Sequence, residues 1–202
     1  PRKSLDTDVI RPVDSAFAPE GGIRLLDGNL GRSLIKTSAV APERQSITAP
    51  AVVISDQHEL KGLFERGELD RDCVVVARFQ GPSANGMPEL HQLMPTLGVL
   101  QDRGHAVALV TDGRLSGASG KVPAAIHMTP EAAAGGPLAK LQDGDIVSVD
   151  AVAGTIDVLE SDFKHRTPAK MDLSDNQFGT GRELFSLFRQ NAASASEGGG
   201  VF

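Results

Sequence analysis

Hydrophobic positions fall mostly in short, β-branched runs: "SLIKTSAV" (33–40), "PAVVIS" (50–55), "CVVVARF" (73–79), "HAVALVT" (105–111), "DIVSVDAV" (145–152) and "TIDVLE" (155–160). Each has strand length and turn-forming residues at its flanks. "VVVA" and "VALV" are continuous rather than alternating, which predicts strands covered on both faces. The last two runs read as a hairpin turning at Ala153-Gly154.

Helical spacing appears between these runs. Residues 55–69 open on a Ser/Asp cap and place Leu60, Leu63 and Phe64 on one face. Residues 87–104 carry Leu90, Leu93, Met94, Leu97 and Leu100 up to Gly104, with Pro95 predicting a break or restart. Residues 129–141 begin Thr-Pro-Glu, a cap followed by proline in a first turn. Residues 180–196 form an amphipathic pattern on Leu184, Phe185 and Phe188, followed by a Ser/Gly tail. The expected fold is an α/β domain, barrel-like or sandwich, with a mixed sheet and flanking helices. Residues 1–28 read as an arm or linker, 29–178 as the body of the domain, and 179–202 as a C-terminal helix and tail. The opening Pro1-Arg2-Lys3 reads as an internal cut in a longer chain.

Composition narrows the function classes. With 202 residues, 40% hydrophobic and 23% charged, the chain has the makeup of one globular domain. No run approaches the ~18 apolar residues of a membrane span, and no signal peptide opens the chain. The net charge of −6, without a basic stripe and without Trp or Tyr, argues against a nucleic-acid partner. One cysteine excludes an internal disulfide, in keeping with a cytoplasmic protein, and also an iron–sulfur cluster held by this chain alone.

Two loops carry the candidate chemistry. "VTDGRLSGASGKVPAA" (110–125) looks at first like a phosphate cradle. The Walker pattern wants glycine where Leu115 stands and Ser or Thr where Val122 stands, so both ends fail. A strand running into Thr111-Asp112-Gly113-Arg114 and Ser116-Gly117 still projects its residues into the crevice where α/β proteins bind ligands. The flanking glycines let backbone approach a ligand, although an ordinary Gly/Ser turn would look the same. "RFQGPSANGMPELHQL" (78–93) repeats the layout of strand, loop and helix start, with Glu89 in the expected first turn, where a carboxylate commonly does no more than favour the helix dipole. His91, His105 and His127 lack metal-ligand spacing and read as structural, and Cys73 reads as a buried thiol.

"GPSANGMPEL" and "ALVTDGRLSGASGKVPAAIHMTPEAAAGGPLAKLQDGDIVSVD" resemble the C-terminal part of the dihydroxyacid dehydratase and 6-phosphogluconate dehydratase family, over residues 22 to 202. "GNLGRSLIKTSAV" and "RELFSLFRQNAASASEGG" are most similar to the 6-phosphogluconate branch. The resemblance implies a swivelling β/β/α barrel and a full-length hydro-lyase that dehydrates a sugar-acid phosphate to a 2-keto-3-deoxy acid in the Entner–Doudoroff pathway. It implies a 4Fe-4S cluster held by an N-terminal domain, magnesium as described in several members, and a homodimer. Ser116 then corresponds to the catalytic base and Glu89 to a magnesium ligand. Arg114 and Lys121 become candidate partners of substrate carboxylate or phosphate, with Asp112 and Gly117 beside them. On this reading the fragment alone is inactive. A dihydroxyacid or other sugar-acid dehydratase, and a non-catalytic binding module, remain alternatives.

Overall fold

The computed structural model describes residues 3–116 and 120–202. Eight strands close into a barrel: β1 (Ile23–Gly28), β2 (Gly31–Lys36), β3 (Ser46–Ile54), β4 (Cys73–Ala77), β5 (Val107–Thr111), β6 (Ala124–Thr129), β7 (Ile146–Asp150) and β8 (Thr155–Val158), in the spatial order β1-β2-β6-β5-β4-β3-β7-β8. The β3-β4-β5-β6 stretch is parallel, β2 pairs antiparallel with β6, and β7 pairs antiparallel with β3 and β8. The seam closes where Asp27 of β1 faces Thr155 of β8. Among the described residues the eight strands thus form a closed ring with no end strand.

The continuous apolar runs have the expected cause. Alternate residues of β4 and β5, such as Val74, Val76, Ala108 and Val110, fill the barrel with Leu26, Ile35 and Met128. The intervening Cys73, Val75, Val107 and Leu109 face outward, under helices α1 (Gln57–Glu65) and α3 (Leu93–Asp102). An interior with several alanines (Ala49, Ala51, Ala108, Ala125, Ala151) suits an eight-stranded barrel, which has room for side chains and no more.

The predicted hairpin is present, with Asp150 paired to Thr155 and the Asp150 carboxylate accepting the Val152 and Ala153 amides. Helix α1 starts at a full capping box between Asp56 and Glu59. Other expectations need correction. The run at 129–141 forms no α-helix, only short 3-10 turns at Ala132–Ala134 and Pro137–Lys140. "EAAA" meets Gly135-Gly136 and Pro137 before one α-helical turn can repay its nucleation cost. The C-terminal helix shrinks to α4 (Ser186–Asn191), preceded by a 3-10 turn at Arg182–Phe185. Helix α3 begins at Leu93, not at residue 87, so Pro95 sits in its first turn, where a missing N–H costs nothing. The barrel also begins before residue 29, since β1 lies within the expected arm, and β6 lies in a stretch that had no strand assignment.

Candidate active site

Parallel strands β4 and β5 end side by side, with Ala77 opposite Thr111, and their loops form one crevice. Beneath it lies Asp112, fully buried. Its carboxyl accepts the amides of Phe79 (3.2 Å), Gln80 (2.9 Å) and Ala132 (2.9 Å), tying three loops together. Burial outweighs those bonds and pushes the carboxyl pKa up to about 6. Asp112 therefore shapes the site from below instead of meeting a ligand. Buried Glu131 does the same next door, accepting the Ser83 and Ala84 amides at the start of the short helix α2 (Pro82–Asn85). Gly113 has no room for a side chain, because a Cβ there would stand 2.8 Å from the Gln80 Cβ and 2.9 Å from Leu90.

Above this floor the two loops clasp each other. Glu89 and Arg114 form a β-bridge. Arg114 donates through Nε to the Met87 carbonyl at 2.7 Å and through Nη1 to Glu89 at 3.1 Å. The other Glu89 oxygen accepts the Ser116 amide at 2.8 Å. Glu89 is thus held by a loop-to-loop bridge and not by a helix start. Met87 takes a left-handed φ of 53°, Phe79 of 61° and His127 of 58°, so three of the four described non-glycine residues with positive φ flank this crevice.

Ser116 is exposed and lines a pocket of about 230 Å³ with Ile23, Leu34, Leu115, Ile126 and His127. His127 donates its amide to the Gly113 carbonyl at 2.9 Å. Burial, and then the positive charge of Arg114, lower its pKa, which keeps the imidazole neutral at pH 7. The sequence had offered His127 only as a structural histidine, because its spacing from other ligands means nothing until β6 lies beside β5. Glu131 was missed as well; an isolated glutamate in "TPEAAA" carries no sign of burial.

The structure brings Ser116, Glu89 and Arg114 together, with Asp112 below them. It does not bring in Lys121, whose Nζ binds both Asp102 oxygens at 2.8 and 2.9 Å beside helix α3. Both partners are largely exposed, so Lys121→Ala costs less than about 1 kcal/mol of stability by urea unfolding. Gly117 lies outside the described residues.

The lone cysteine, Cys73, is buried on the helix-covered face of β4, and burial pushes its thiol up to about 11. It does not fit as a cluster thiolate. Among the described residues no group of three or more His, Cys, Asp or Glu could hold a metal ion. Glu89 fits one hard-oxygen position, because each oxygen keeps a lone pair beyond its present bond. The remaining ligands of any such ion would have to come from outside these residues.

The family model described as "Dihydroxy-acid/6-phosphogluconate dehydratase C-terminal" matches residues 8–199. Phosphogluconate dehydratase of Rhizobium meliloti is 57% identical over 100% of this chain and 34% of its own length. Its namesake in Pseudomonas aeruginosa is 58% identical over 98% of this chain and 33% of its own. Dihydroxy-acid dehydratase of Acetivibrio thermocellus is 38% identical over 77% of this chain and 28% of its own. The chain spans about a third of the length of these curated relatives. With its family model matched from residue 8 to residue 199, the chain belongs to the dihydroxy-acid/6-phosphogluconate dehydratase family and corresponds to its C-terminal part.

Proposed function

We propose that this chain is the C-terminal part of a cytoplasmic phosphogluconate dehydratase that converts 6-phosphogluconate to 2-dehydro-3-deoxy-6-phosphogluconate and water. The observation that carries this reading is the clasp in which Glu89 holds both the Arg114 guanidinium and the Ser116 amide at the carboxyl ends of β4 and β5. Relatives named phosphogluconate dehydratase share 50–58% identity with nearly the whole chain, against 38% for the dihydroxy-acid relative.

In the proposed reaction the Ser116 Oγ, as alkoxide, takes the proton from C2. The C2–H electron pair forms the C2–C3 double bond as the 3-hydroxyl leaves, and the enol product ketonises. A serine hydroxyl is a weak base, so its charged form needs nearby positive charge. Arg114, two residues away and gripped by the same carboxylate, supplies part of it, and its remaining N–H donors suit the substrate carboxylate. Glu89 anchors the serine loop through its backbone and offers one ligand to a magnesium ion. Departure of the hydroxyl calls for a Lewis acid, which a 4Fe-4S cluster in a preceding domain of the full-length protein would supply. The barrel would swivel against that domain, within a homodimer.

The test is the full-length enzyme offered 6-phosphogluconate, gluconate and a branched 2,3-dihydroxy acid. The expected result is a kcat/KM for 6-phosphogluconate at least about a hundredfold above the others, because the site spends binding energy on a charged group the others lack. Preference for the branched acid would move the chain to the dihydroxy-acid branch.

A further inference from the structure

A second crevice lies where the C-terminal segment packs against the 82–87 loop. It encloses about 400 Å³ and is lined by Asn85, Met87, Thr180, Arg182, Phe188 and Arg189, among others. Its two arginines are unusual in their charge balance. Arg182 donates from Nε to the Asn176 carbonyl at 2.6 Å and from Nη2 to the Asn85 side chain at 2.7 Å. Arg189 donates from Nη1 to the Arg182 carbonyl at 2.9 Å and from Nη2 to Gln177 at 3.4 Å. All of these acceptors are neutral.

Neither guanidinium lies within ion-pair distance of a carboxylate among the described residues. The segment's own acids point elsewhere: Glu183 accepts the Gly179 amide and Glu197 the Ser194 hydroxyl. Arg189 is only 8% exposed, and its buried Nε has no hydrogen-bond partner. A buried cation with an unsatisfied donor and no counter-charge is costly unless an anion completes it. Arg182, half-buried and bonded only to neutral acceptors, lines the same open pocket.

We propose that this pocket binds the phosphate of the substrate through Arg182 and Arg189. The assignment rests on the phosphogluconate dehydratase reading above. A phosphate dianion matches the forked donors of arginine. The geometry links the two sites directly. Met87 lines the pocket and gives its carbonyl to Arg114, while Glu89 is two residues on, at most about 7 Å of extended chain. In the proposed pose a six-carbon sugar acid places its carboxylate end at Arg114 and Ser116 and its phosphate between the arginines. Asn85, held by Arg182, fixes the loop that joins them.

The experiment uses the full-length holoenzyme. Inorganic phosphate should compete with 6-phosphogluconate. Arg182→Gln should weaken that inhibition, and raise the KM for 6-phosphogluconate, by at least about tenfold each. Unchanged phosphate inhibition in the folded variant overturns the assignment, as does a fall in kcat with KM unmoved. Should the variant not fold, arginine-directed modification of the wild-type enzyme decides. Phosphate that shields Arg182 or Arg189 from the reagent supports the pocket, and equal labelling with and without phosphate overturns it. A failed dehydratase reading looks different, because the wild-type enzyme would then not turn over 6-phosphogluconate at all.

Discussion

Replacing Ser116 with alanine lowers kcat of the full-length enzyme by a factor of at least about 10²–10⁴, the range expected when a positioned proton acceptor is lost. The reason to expect so clean a loss is structural. Glu89 holds this loop by the main-chain amide of Ser116, at 2.8 Å, and alanine keeps that amide. The Glu89–Arg114 pair at 3.1 Å is untouched as well, so the clasp survives while the hydroxyl is gone. Stability and KM should stay near wild type, and the visible absorption of any bound cluster should be preserved. Substrate carrying deuterium at C2 gives a second reading, since the variant should also fail to exchange that position with solvent. Turnover within tenfold of wild type would remove Ser116 as the base. Neutral His127, in the same pocket, would then be the first residue to examine.

The second large effect concerns Asp112 and appears as stability. Asp112→Ala leaves three buried amides, of Phe79, Gln80 and Ala132, without their acceptor. At about 1 kcal/mol or more for each, the expected cost is about 3 kcal/mol or more in urea unfolding at pH 5. The pH dependence has a definite sign. Burial raises the folded pKa to about 6 from an ordinary value of 3.8, so between those values the folded state binds more protons than the unfolded one. Stability from this carboxyl is therefore present below about pH 4 and is lost as pH rises towards and through about 6. The shift corresponds to an order of 3 kcal/mol, so the gap between wild type and Asp112→Ala should narrow between pH 5 and pH 7. A gap that widens with pH would mean that the three amides outweigh burial and hold the carboxyl below its usual range.

These two residues show how far local pattern reaches. Both were visible in "VTDGRLSG" as groups at the end of a buried strand, and the position alone implied a crevice. Their roles diverge because Asp112 points into the floor and Ser116 into the open pocket, which depends on the loops of β4 and β6 that surround them. Lys121 makes the opposite case. In the sequence it is the most suggestive cation of the motif, but helix α3 places Asp102 under it and captures its ammonium.

What the sequence determined by itself was the set of elements and the place of the chemistry. Strands β3, β4, β5, β7 and β8, the capped helix α1, the late hairpin, the two loops bearing Glu89 and Ser116, and the family resemblance all follow from local composition and motif. Such features depend on neighbours a few positions away, where periodicity, capping and turn residues act. Tertiary structure decided the rest. It closed the barrel by recruiting β1 and β6, whose mixed sequences become strands only because adjoining strands satisfy their backbone groups. It turned Glu89 from a helix-start residue into a clasp, because its partners lie 25 and 27 residues away. It also set Arg182 and Arg189 against the 82–87 loop, leaving buried positive charge that no nearby residue in the sequence could reveal. Pairings over such separations depend on the whole chain's packing, and no short window contains them.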